Sequence, residues 1–555
     1  MKMKLLSLTN SGTDPSAFGI LRETLRRHIE LRSAGLAEAG EAAFELSVRT
    51  DPAALPHEGR YIIESDGCRA VISAADTAAV FAGLGRFLEE SRFDGRGGFE
   101  PFAGRIDFTP ARPLRGMYFA THFHNFYHAA PVEKVYEVIG DLALRGCNAL
   151  MVWFDMHHFA SADEPAAVSL AERLRLILSH ANSIGIKGAF TMNANEAFSS
   201  SPAGLRAEWT AQNGYTSPPR DHFHLEICPS KPGGTEEILR ERREMLELFA
   251  GLDIAYFQYW PYDEGGCTCR DCAPWGANGF VKLFPHVRDL VSGYFPAARF
   301  IVSTWYFDRF YPGEWEAFYP HLTDGSLDGA DYILSFFFRG EMPEVLKKKG
   351  FQKGIKLLDF PEISMYSCTP WGGFGASALP GFLGRTNAGT GSLYSGGFPY
   401  SEGIFEDVNK YITLSYYSGR FPDPRDAVRA YVRYEFCAYG EAADELTDAV
   451  LLSETGLSRA RVPDSVPLRF DIRDTSQTEK VYEIFSRYDK MLPDGIRLGY
   501  KFRMWYLRSV IDREIARCGG YPLRSDICQE AMREVNRIIF ADSQTGWWIK
   551  APAGE

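Results

Sequence analysis

From Arg115 to about residue 420, short apolar runs alternate with segments whose apolar residues recur every three or four positions. The short runs predict buried strands, and the amphipathic segments predict helices. The predicted strands are Gly116–Phe119, Ala149–Phe154, Gly188–Met192, Ile254–Tyr259, Phe300–Thr304, Tyr332–Phe336, Ile355–Leu358 and Ser392–Gly396. Eight such units in roughly 300 residues favour a closed (β/α)8 TIM barrel over a doubly wound sheet, the competing architecture.

The two flanking regions lack this alternation. Before it, the pattern predicts helices and short strands, with Asp76 as the N-cap of the last helix. These elements are Ile20–His28, Leu36–Phe44, Tyr61–Glu64, Ala70–Ser73 and Thr77–Glu90. Beyond residue 420 only helices are predicted, over 424–440, 442–453, 478–491, 494–517 and 525–540. The fold class is therefore α/β, with a small N-terminal α/β domain (1–110), a barrel (111–420) and an α-helical C-terminal domain (421–555).

Composition narrows the class of protein. The 555 residues are 45% apolar and 24% charged, which is ordinary globular usage. A net charge of -12 disfavours nucleic acid or an anionic membrane as a partner. The absence of a long apolar run, the short apolar stretch at the start and the dispersed cysteines lead us to expect a cytoplasmic protein without a membrane span. A homo-oligomer is compatible with this sequence. Aromatic residues reach 14%, a surplus that needs an explanation.

The end of the fourth predicted strand carries two adjacent carboxylates. Asp263 and Glu264 follow Trp260 and Tyr262 and precede two glycines. In a barrel, functional groups collect at the C-terminal strand ends. Burial beside aromatic rings would raise the pKa of a carboxyl group, as a general acid near neutral pH requires. The alternative is that both carboxylates only cap the loop.

A second carboxylate would serve as base or nucleophile. Glu362 and Asp359, after the seventh strand, are the first candidates, and Glu402 after the eighth is the third. Their separation from Glu264 would decide between inversion and retention. A structural role is the alternative for each.

Polar and aromatic side chains at other strand ends are candidates for substrate binding. Aromatic rings stack on the C–H faces of sugars, and His, Asp and Asn side chains bond their hydroxyl groups. The candidates are His122, His124, Asp155, His157, Asn193, Trp260, Tyr262, Trp305, Arg339, Trp371 and Tyr400. The histidines allow a catalytic metal site as an alternative, although no His-Glu-x-x-His motif is present. Asn195 and Glu196 are assigned equally to hydroxyl binding and to loop capping.

Three cysteines lie within six residues. Cys267, Cys269 and Cys272 follow directly on Glu264, and Cys228 is a fourth candidate ligand. This density predicts a structural zinc site that would brace the neighbouring loop. Reduced thiols or a disulfide are the alternatives. No cofactor for catalysis is predicted.

Several motifs resemble family 20 β-N-acetylhexosaminidases and family 67 α-glucuronidases. They are Phe81-Ala-Gly83-Leu84 before the barrel, Pro113-Leu-Arg115-Gly116 at its start, Cys147-Asn-Ala-Leu150 at the second strand and Asp263-Glu264 at the fourth. The resemblance implies a hexosaminidase-like accessory domain at the N-terminus. It also implies that Glu264 is the general acid and that Asp263 orients a substrate acetamido group acting as nucleophile. The chain departs from the family in having Phe123 where a sugar-binding arginine stands, and Pro261-Tyr262 in place of two glycines.

These observations predict a glycoside hydrolase with a carbohydrate substrate, most similar to a β-N-acetylhexosaminidase. One alternative is an α-glucuronidase-like uronic acid hydrolase, which would use Glu264, a strand-seven carboxylate and the cationic groups Arg339 and His122. A carbohydrate-binding protein without catalysis is another. A zinc hydrolase using the histidines is the last.

Overall fold

A computed structural model describes most of the chain. The described residues are 3–37, 44–122, 125–218, 225–337, 341–351, 354–364, 376–455, 459–461, 470–472, 474–518 and 525–540. No helix among them is long and apolar enough to cross a membrane.

The N-terminal region is a six-stranded mixed sheet with two helices. Its strands and a small hairpin are β1 Met3–Asn10, β2 Ala34–Ala37, β3 Phe44–Thr50, β4 Tyr61–Asp66, β5 Arg69–Ala74, β6 Arg92–Phe93, β7 Phe99–Glu100 and β8 Ala103–Phe108. The sheet order is β2-β1-β3-β5-β4-β8. Helices α1 (Pro15–Leu31) and α2 (Thr77–Glu90) begin after the N-caps Asp14 and Asp76, whose carboxylates accept backbone N–H bonds.

One sequence prediction in this region is wrong. Residues 36–44 were expected to form a helix, but Leu36 and Ala37 belong to β2 and Phe44 begins β3. Both strands pair in parallel with β1. Sheet pairing to a strand far along the chain therefore outweighs the helix propensity of this alanine- and glutamate-rich stretch.

The central region is a closed parallel barrel, which confirms the predicted fold class. Its strands are β9 Leu114–Phe119, β10 Ala149–Trp153, β11 Lys187–Asn193, β12 Ile254–Trp260, β13 Arg299–Ser303, β14 Ala330–Leu334, β15 Lys356–Asp359 and β16 Tyr394–Gly397. They pair in chain order, and β9 pairs with both β16 and β10, which closes the ring. A short strand, β17 (Tyr400–Ser401), also pairs with β9. All eight predicted barrel strands are present within a few residues.

Helices surround the barrel. They are α3 Phe126–Ala129, α4 Val132–Leu144, α5 Pro165–Ser183, α6 Gly234–Glu247, α7 Gly279–Tyr294, α8 Glu314–Phe318, α9 Glu344–Lys349, α10 Pro380–Thr390 and α11 Asp407–Ser418. In α4 the apolar residues Val135, Ile139 and Leu142 are buried. Their spacing of three to four residues places them on one face of the helix.

The C-terminal region is mainly helical. Its elements are α12 Pro424–Glu435, α13 Glu441–Leu452, β18 Arg459–Arg461, β19 Phe470–Ile472, α14 Thr478–Met491, α15 Asp494–Arg497, α16 Tyr500–Cys518 and α17 Asp526–Phe540. The antiparallel pair of β18 and β19 corrects the expectation that strands are absent beyond residue 420.

A buried set of charges joins the three regions, and we call it the junction network. Arg145, which follows α4, donates to Asp407 of α11 at 2.7 and 2.8 Å and to Glu435 of α12 at 2.7 Å. Lys501 of α16 lies 2.6 Å from Glu435 and 3.0 Å from Asp141 of α4. Arg27 and His28 of α1 also bond Asp141. Each carboxylate in the junction network therefore faces at least one cation.

Candidate active site

The side chains on the two faces of each barrel strand belong to two different hydrophobic cores. Tyr118, Met151, Trp260, Ile301 and Leu358 pack together inside the barrel. Their chain neighbours face the surrounding helices and belong to the outer core. Because side chains alternate along a strand, the residue two positions beyond an inward-facing one also points inward. This parity indicates which strand-end residues reach the mouth of the barrel as long as the chain stays extended.

The acid loop, residues 261–266, follows β12. Trp260 points into the barrel, and its Nε1 donates to Asp263 Oδ2 at 3.3 Å. Asp263 has φ = +74°, a left-handed conformation that non-glycine residues rarely adopt. Glu264 is only 2% exposed. A strained residue beside a buried carboxylate at a strand end is typical of a functional site.

The acid loop is held by a buried amide from the third strand end. Asn195 Nδ2 donates to the carbonyl oxygens of Gly266 and Ile227, both at 2.8 Å, and Asn195 Oδ1 accepts from Gly266 N at 2.7 Å. Gly266 has φ = +126°, which favours glycine. Asn195 is fully buried. Of its two predicted roles, the structure assigns it loop bracing.

Strand parity separates the two carboxylates predicted after the seventh strand. Leu358 and Phe360 pack in the barrel interior, so Glu362 continues on the inward side. Its backbone forms an isolated parallel β-bridge with that of Tyr400. Asp359 lies on the opposite face, and Tyr417 of α11 donates to its Oδ2 at 3.4 Å. The structure therefore brings Glu362 to the mouth and places Asp359 among the outer helices.

Glu362 is close enough to the acid loop for the charges to interact. Burial and the charge of Asp263 raise the pKa of Glu362 to about 7, and Arg309 opposes this shift. A carboxyl group with such a pKa exchanges protons readily near neutral pH. The mouth thus contains a second titratable group besides Glu264.

The third candidate carboxylate also reaches the mouth. Tyr400 OH donates to Glu402 Oε1 at 3.2 Å and lies 3.3 Å from His122 Nε2. Burial, then the charges of Glu406 and Glu362, raise the pKa of Glu402 to about 8. Burial lowers the pKa of His122 to about 4, although Asp155 acts in the opposite direction. Near pH 7, Glu402 therefore holds a proton and the His122 ring is neutral.

A buried carboxylate organises the second and third strand ends. Glu196 lies 2.7 Å from Nδ1 of His157 and accepts from Trp153 Nε1 at 3.3 Å and Asn193 Nδ2 at 3.5 Å. Asp155 Oδ2 lies 2.6 Å from Nδ1 of His158. Glu196 thus contacts Trp153 and two predicted binding side chains, His157 and Asn193.

Three buried polar atoms in this wall make no hydrogen bond within the described residues. Asp155 Oδ1 and Asn193 Oδ1 are buried and accept no hydrogen bond there, and Trp305 Nε1 donates none. Buried polar atoms are nearly always hydrogen-bonded in native proteins. Two acceptors and a donor in this wall are therefore candidates for hydrogen bonds to a ligand.

Aromatic rings line the same mouth. The rings of Trp260 and Trp305 lie 5.3 Å apart, and Phe360 lies 5.0 Å from Trp260 and 5.8 Å from Trp305. Tyr400 stacks on Tyr118 at 5.5 Å. Phe360 and Tyr118 were absent from the sequence prediction, although alternation from Leu358 would have identified Phe360. Part of the aromatic surplus therefore forms an apolar wall at the mouth of the barrel.

One predicted binding residue points elsewhere. Tyr262 is fully buried in the outer core, and its OH donates to Glu314 Oε1 at 2.6 Å. Burial raises the pKa of Glu314 to about 8. Tyr262 therefore anchors the acid loop to α8 instead of lining the mouth. His124, Arg339 and Trp371 lie outside the described residues.

Two groups of side chains in the described residues have spacing suited to a metal ion. The Sγ atoms of four cysteines lie within 4.8 Å of one another, and so do ligand atoms of a histidine and carboxylate group. The first group is Cys228, Cys267, Cys269 and Cys272, and the second is Asp155, His157 and His158. In the second group, Nδ1 of each histidine already faces a carboxylate.

The fold is similar to that of several glycoside hydrolases. A family GH115 4-O-methyl-α-glucuronidase with specificity for decorated arabinogalactans has a TM-score of 0.60 and 10% identity, over 100% of this chain and 78% of its own. A family GH89 enzyme from Clostridium perfringens, solved with GlcNAc-α-1,4-galactose, has a TM-score of 0.58 and 12% identity. The match covers 91% of this chain and 64% of that enzyme. A family GH20 exo-β-N-acetylglucosaminidase from Vibrio harveyi, solved with N-acetylglucosamine, has a TM-score of 0.51 and 13% identity. The match covers 78% of this chain and 74% of that enzyme.

No family model matches the chain, and no curated protein matches its sequence. At 10–13% identity, the likeness to these three enzymes is one of fold. What the barrel does must be argued from the residues at its mouth.

Proposed function

We propose that the protein is a glycoside hydrolase with Glu264 as its general acid. The observation that carries this proposal is the acid loop, where a buried Glu264 follows the left-handed Asp263 at the mouth of the barrel. Low exposure favours the protonated form of a carboxyl group, and only a protonated acid can donate to a glycosidic oxygen. The three enzymes with a similar fold are all described as acting on, or belonging to families acting on, glycosides.

The proposed substrate class is an N-acetylhexosaminide. Trp260 Nε1 fixes Asp263 by a hydrogen bond at 3.3 Å, so one carboxylate oxygen is oriented beside the candidate acid. In a substrate-assisted reaction, that carboxylate holds the acetamido N–H while the acetamido oxygen attacks the anomeric carbon. Glu264 protonates the leaving oxygen in the same step, and then deprotonates the water that opens the cyclic intermediate.

The remaining wall would recognise the sugar ring. Asp155 Oδ1 and Asn193 Oδ1 would accept from hydroxyl groups, and Trp305 Nε1 would donate to one. The rings of Trp260 and Phe360 would contact the C–H faces. Desolvated hydrogen bonds of this kind fix the orientation of the substrate against Glu264.

One observation favours a second candidate, hydrolysis by two enzyme carboxylates. Glu362 has a pKa of about 7, raised by burial and by Asp263, and therefore can act as a base or nucleophile opposite Glu264. An α-glucuronidase-like uronic acid hydrolase would use this arrangement. In this second candidate, Arg309 would supply the cationic group near the mouth, since its charge lowers the pKa of Glu362.

Kinetics on aryl glycosides tests both candidates. The panel contains N-acetyl-β-glucosaminide, N-acetyl-β-galactosaminide, β-glucoside and α-glucuronide substrates. Glu264→Gln should lower kcat/KM about 10²–10⁴-fold, the usual contribution of a general acid. Glu172→Gln, an exposed glutamate on α5, is the matched control and should be unchanged. Activity retained in Glu264→Gln, or sugar binding without turnover of any substrate by the wild type, would refute the proposal.

Three further variants separate the mechanisms. Asp263→Asn should be severely impaired on acetamido sugars, whereas Glu362→Gln should keep most activity if the substrate supplies the nucleophile. If Glu362 is the nucleophile, Glu362→Gly should be inactive and should regain turnover in added azide, with formation of a glycosyl azide. If Asp263→Asn and Glu362→Gln are both inactive on an N-acetylhexosaminide, and azide does not rescue Glu362→Gly, a route that uses only the substrate's acetamido group as nucleophile is excluded.

A further inference from the structure

Four cysteines from two separate segments converge beside the acid loop. Cys228 lies in the segment before α6, and Cys267, Cys269 and Cys272 lie between β12 and α7. Three of these thiols are buried and Cys269 is half-buried. None is in a disulfide. We call this group the tetrathiol cluster.

The spacing of the sulfur atoms fits a bound ion better than a bond between thiols. Cys228 Sγ lies 3.8 Å from both Cys269 Sγ and Cys272 Sγ, and all four Sγ atoms lie within 4.8 Å of one another. A disulfide would require about 2.05 Å. Four sulfur ligands at about 2.3 Å from a tetrahedral zinc ion are about 3.8 Å apart. Two of the Sγ–Sγ distances therefore match the edge of a zinc tetrahedron, and the others are at most 4.8 Å.

The surroundings of the sulfur atoms suit thiolates. Glu208 N donates to Cys267 Sγ at 3.4 Å, and Ser230 Oγ lies 3.1 Å from Cys272 Sγ. N–H and O–H donors stabilise negative charge on sulfur, and such contacts orient the ligands of a metal site. Three buried thiols and one half-buried thiol therefore converge where a metal ion would stabilise them as thiolate ligands.

We propose that the tetrathiol cluster binds one zinc ion and that this ion is structural. Four protein ligands fill a tetrahedral shell, which leaves no position for water or substrate. Cys267 is three residues beyond Glu264, and Asn195 fixes the intervening Gly266. The ion therefore joins the Cys228 segment to the acid loop and holds the candidate acid in place. This inference concerns the fold of the loop and is independent of the reaction that the mouth catalyses.

The test is metal analysis of the full-length protein purified without chelator from zinc-supplemented cells. The wild type should contain about one zinc per chain. The double variant Cys228→Ser, Cys272→Ser should retain less than a tenth of that amount, and Cys68→Ser, an exposed cysteine far from the cluster in sequence, should retain all of it. Chelation should lower the melting temperature of the wild type more than that of the double variant.

The wild type alone decides the question if the double variant is recovered unfolded. Expression with cobalt in zinc-poor medium should give the visible absorption of tetrahedral thiolate-bound cobalt. Wild-type protein with no stoichiometric metal overturns the proposal, whether all ten cysteines titrate as thiols or two fewer do because of a disulfide. A coloured iron tetrathiolate, or zinc that persists in the double variant, overturns it as well.

Discussion

The barrel mouth and the junction network both bury several carboxyl groups, but they treat the charge in opposite ways. In the junction network, burial opposes ionisation of Asp141, yet Arg27 and Lys501 hold its pKa well below the ordinary value. The pKa of Asp407 is likewise lowered, mainly by Arg145 against the effect of burial. At the mouth, burial and neighbouring carboxylates raise the pKa of Glu362 to about 7 and of Glu402 to about 8.

This contrast distinguishes a structural role from a functional one. A buried charge that meets its counterion within the protein is satisfied by folding. Carboxyl groups that face other carboxyl groups gain nothing from folding and are retained for another reason, such as proton transfer to a ligand. In these two sets of carboxyl groups, the direction of the pKa shift follows the charge of the neighbouring side chains. Burial also raises the pKa of Glu314 and Asp359 away from the mouth, so the direction of a pKa shift identifies a candidate only together with its position.

Breaking the junction network should have the largest effect on stability. Arg145→Met keeps the aliphatic volume but leaves Asp407 and Glu435 with less compensation in a buried site. We expect a loss of about 3–5 kcal/mol in the free energy of unfolding, measured by urea denaturation at pH 7. The control is Arg240→Met on α6, whose surface ion pairs should contribute about 0–1 kcal/mol. Equal stability of the two variants would contradict the assignment of the network.

Removing the mouth carboxylates should have a smaller and pH-dependent effect. Because the folded-state pKa values of Glu362 and Glu402 lie above their unfolded value, the unfolded state loses these protons first as pH rises. Their contribution to stability is therefore neutral below about pH 4.5 and increasingly unfavourable toward pH 8. The double variant Glu362→Gln, Glu402→Gln should gain at least about 2 kcal/mol of stability relative to wild type between pH 5 and pH 8.

The measurement is urea denaturation of both proteins at pH 5, 6.5 and 8. Glu64→Gln, an exposed glutamate in the N-terminal sheet, controls for a change in net charge. A double variant whose stability varies with pH as steeply as that of the wild type would show that other groups cause the slope. The junction carboxylates titrate below this range, since their folded-state pKa values are lowered.

The sequence predicted the barrel because its signal is local. Eight apolar runs of strand length separated by amphipathic segments leave few alternatives, and the strand ends then locate Glu264, Glu362 and the aromatic wall. The end of β12 also made Asp263 a candidate, because it and Glu264 are adjacent carboxylates between aromatic residues and glycines.

The rest depends on contacts between distant segments. The hydrogen bond between Tyr400 and His122 joins residues 278 positions apart, and the pairing of β2 with β1 overrode a local helix pattern. Tyr262 looked like a wall residue because it follows β12, but the turn at Asp263 directs it into the outer core. Side-chain direction beyond a strand end depends on the loop conformation, which composition does not encode.

Asp359 provides the smallest and most discriminating test of strand parity. It stands three residues from Glu362, and burial raises its pKa to about 7 as well, so the pKa alone would make both residues equal candidates. Its side chain, however, faces Tyr417 on α11 instead of the mouth.

Asp359→Asn preserves the shape of the side chain and resembles its neutral form, so we expect kcat/KM within about twofold of wild type and a stability change below about 1 kcal/mol. Glu264→Gln, assayed on the same best substrate, is the matched loss-of-function variant. If Asp359→Asn were as inactive as Glu264→Gln while remaining folded, strand parity would not determine which carboxylates act, and the division between mouth and outer helices would fail.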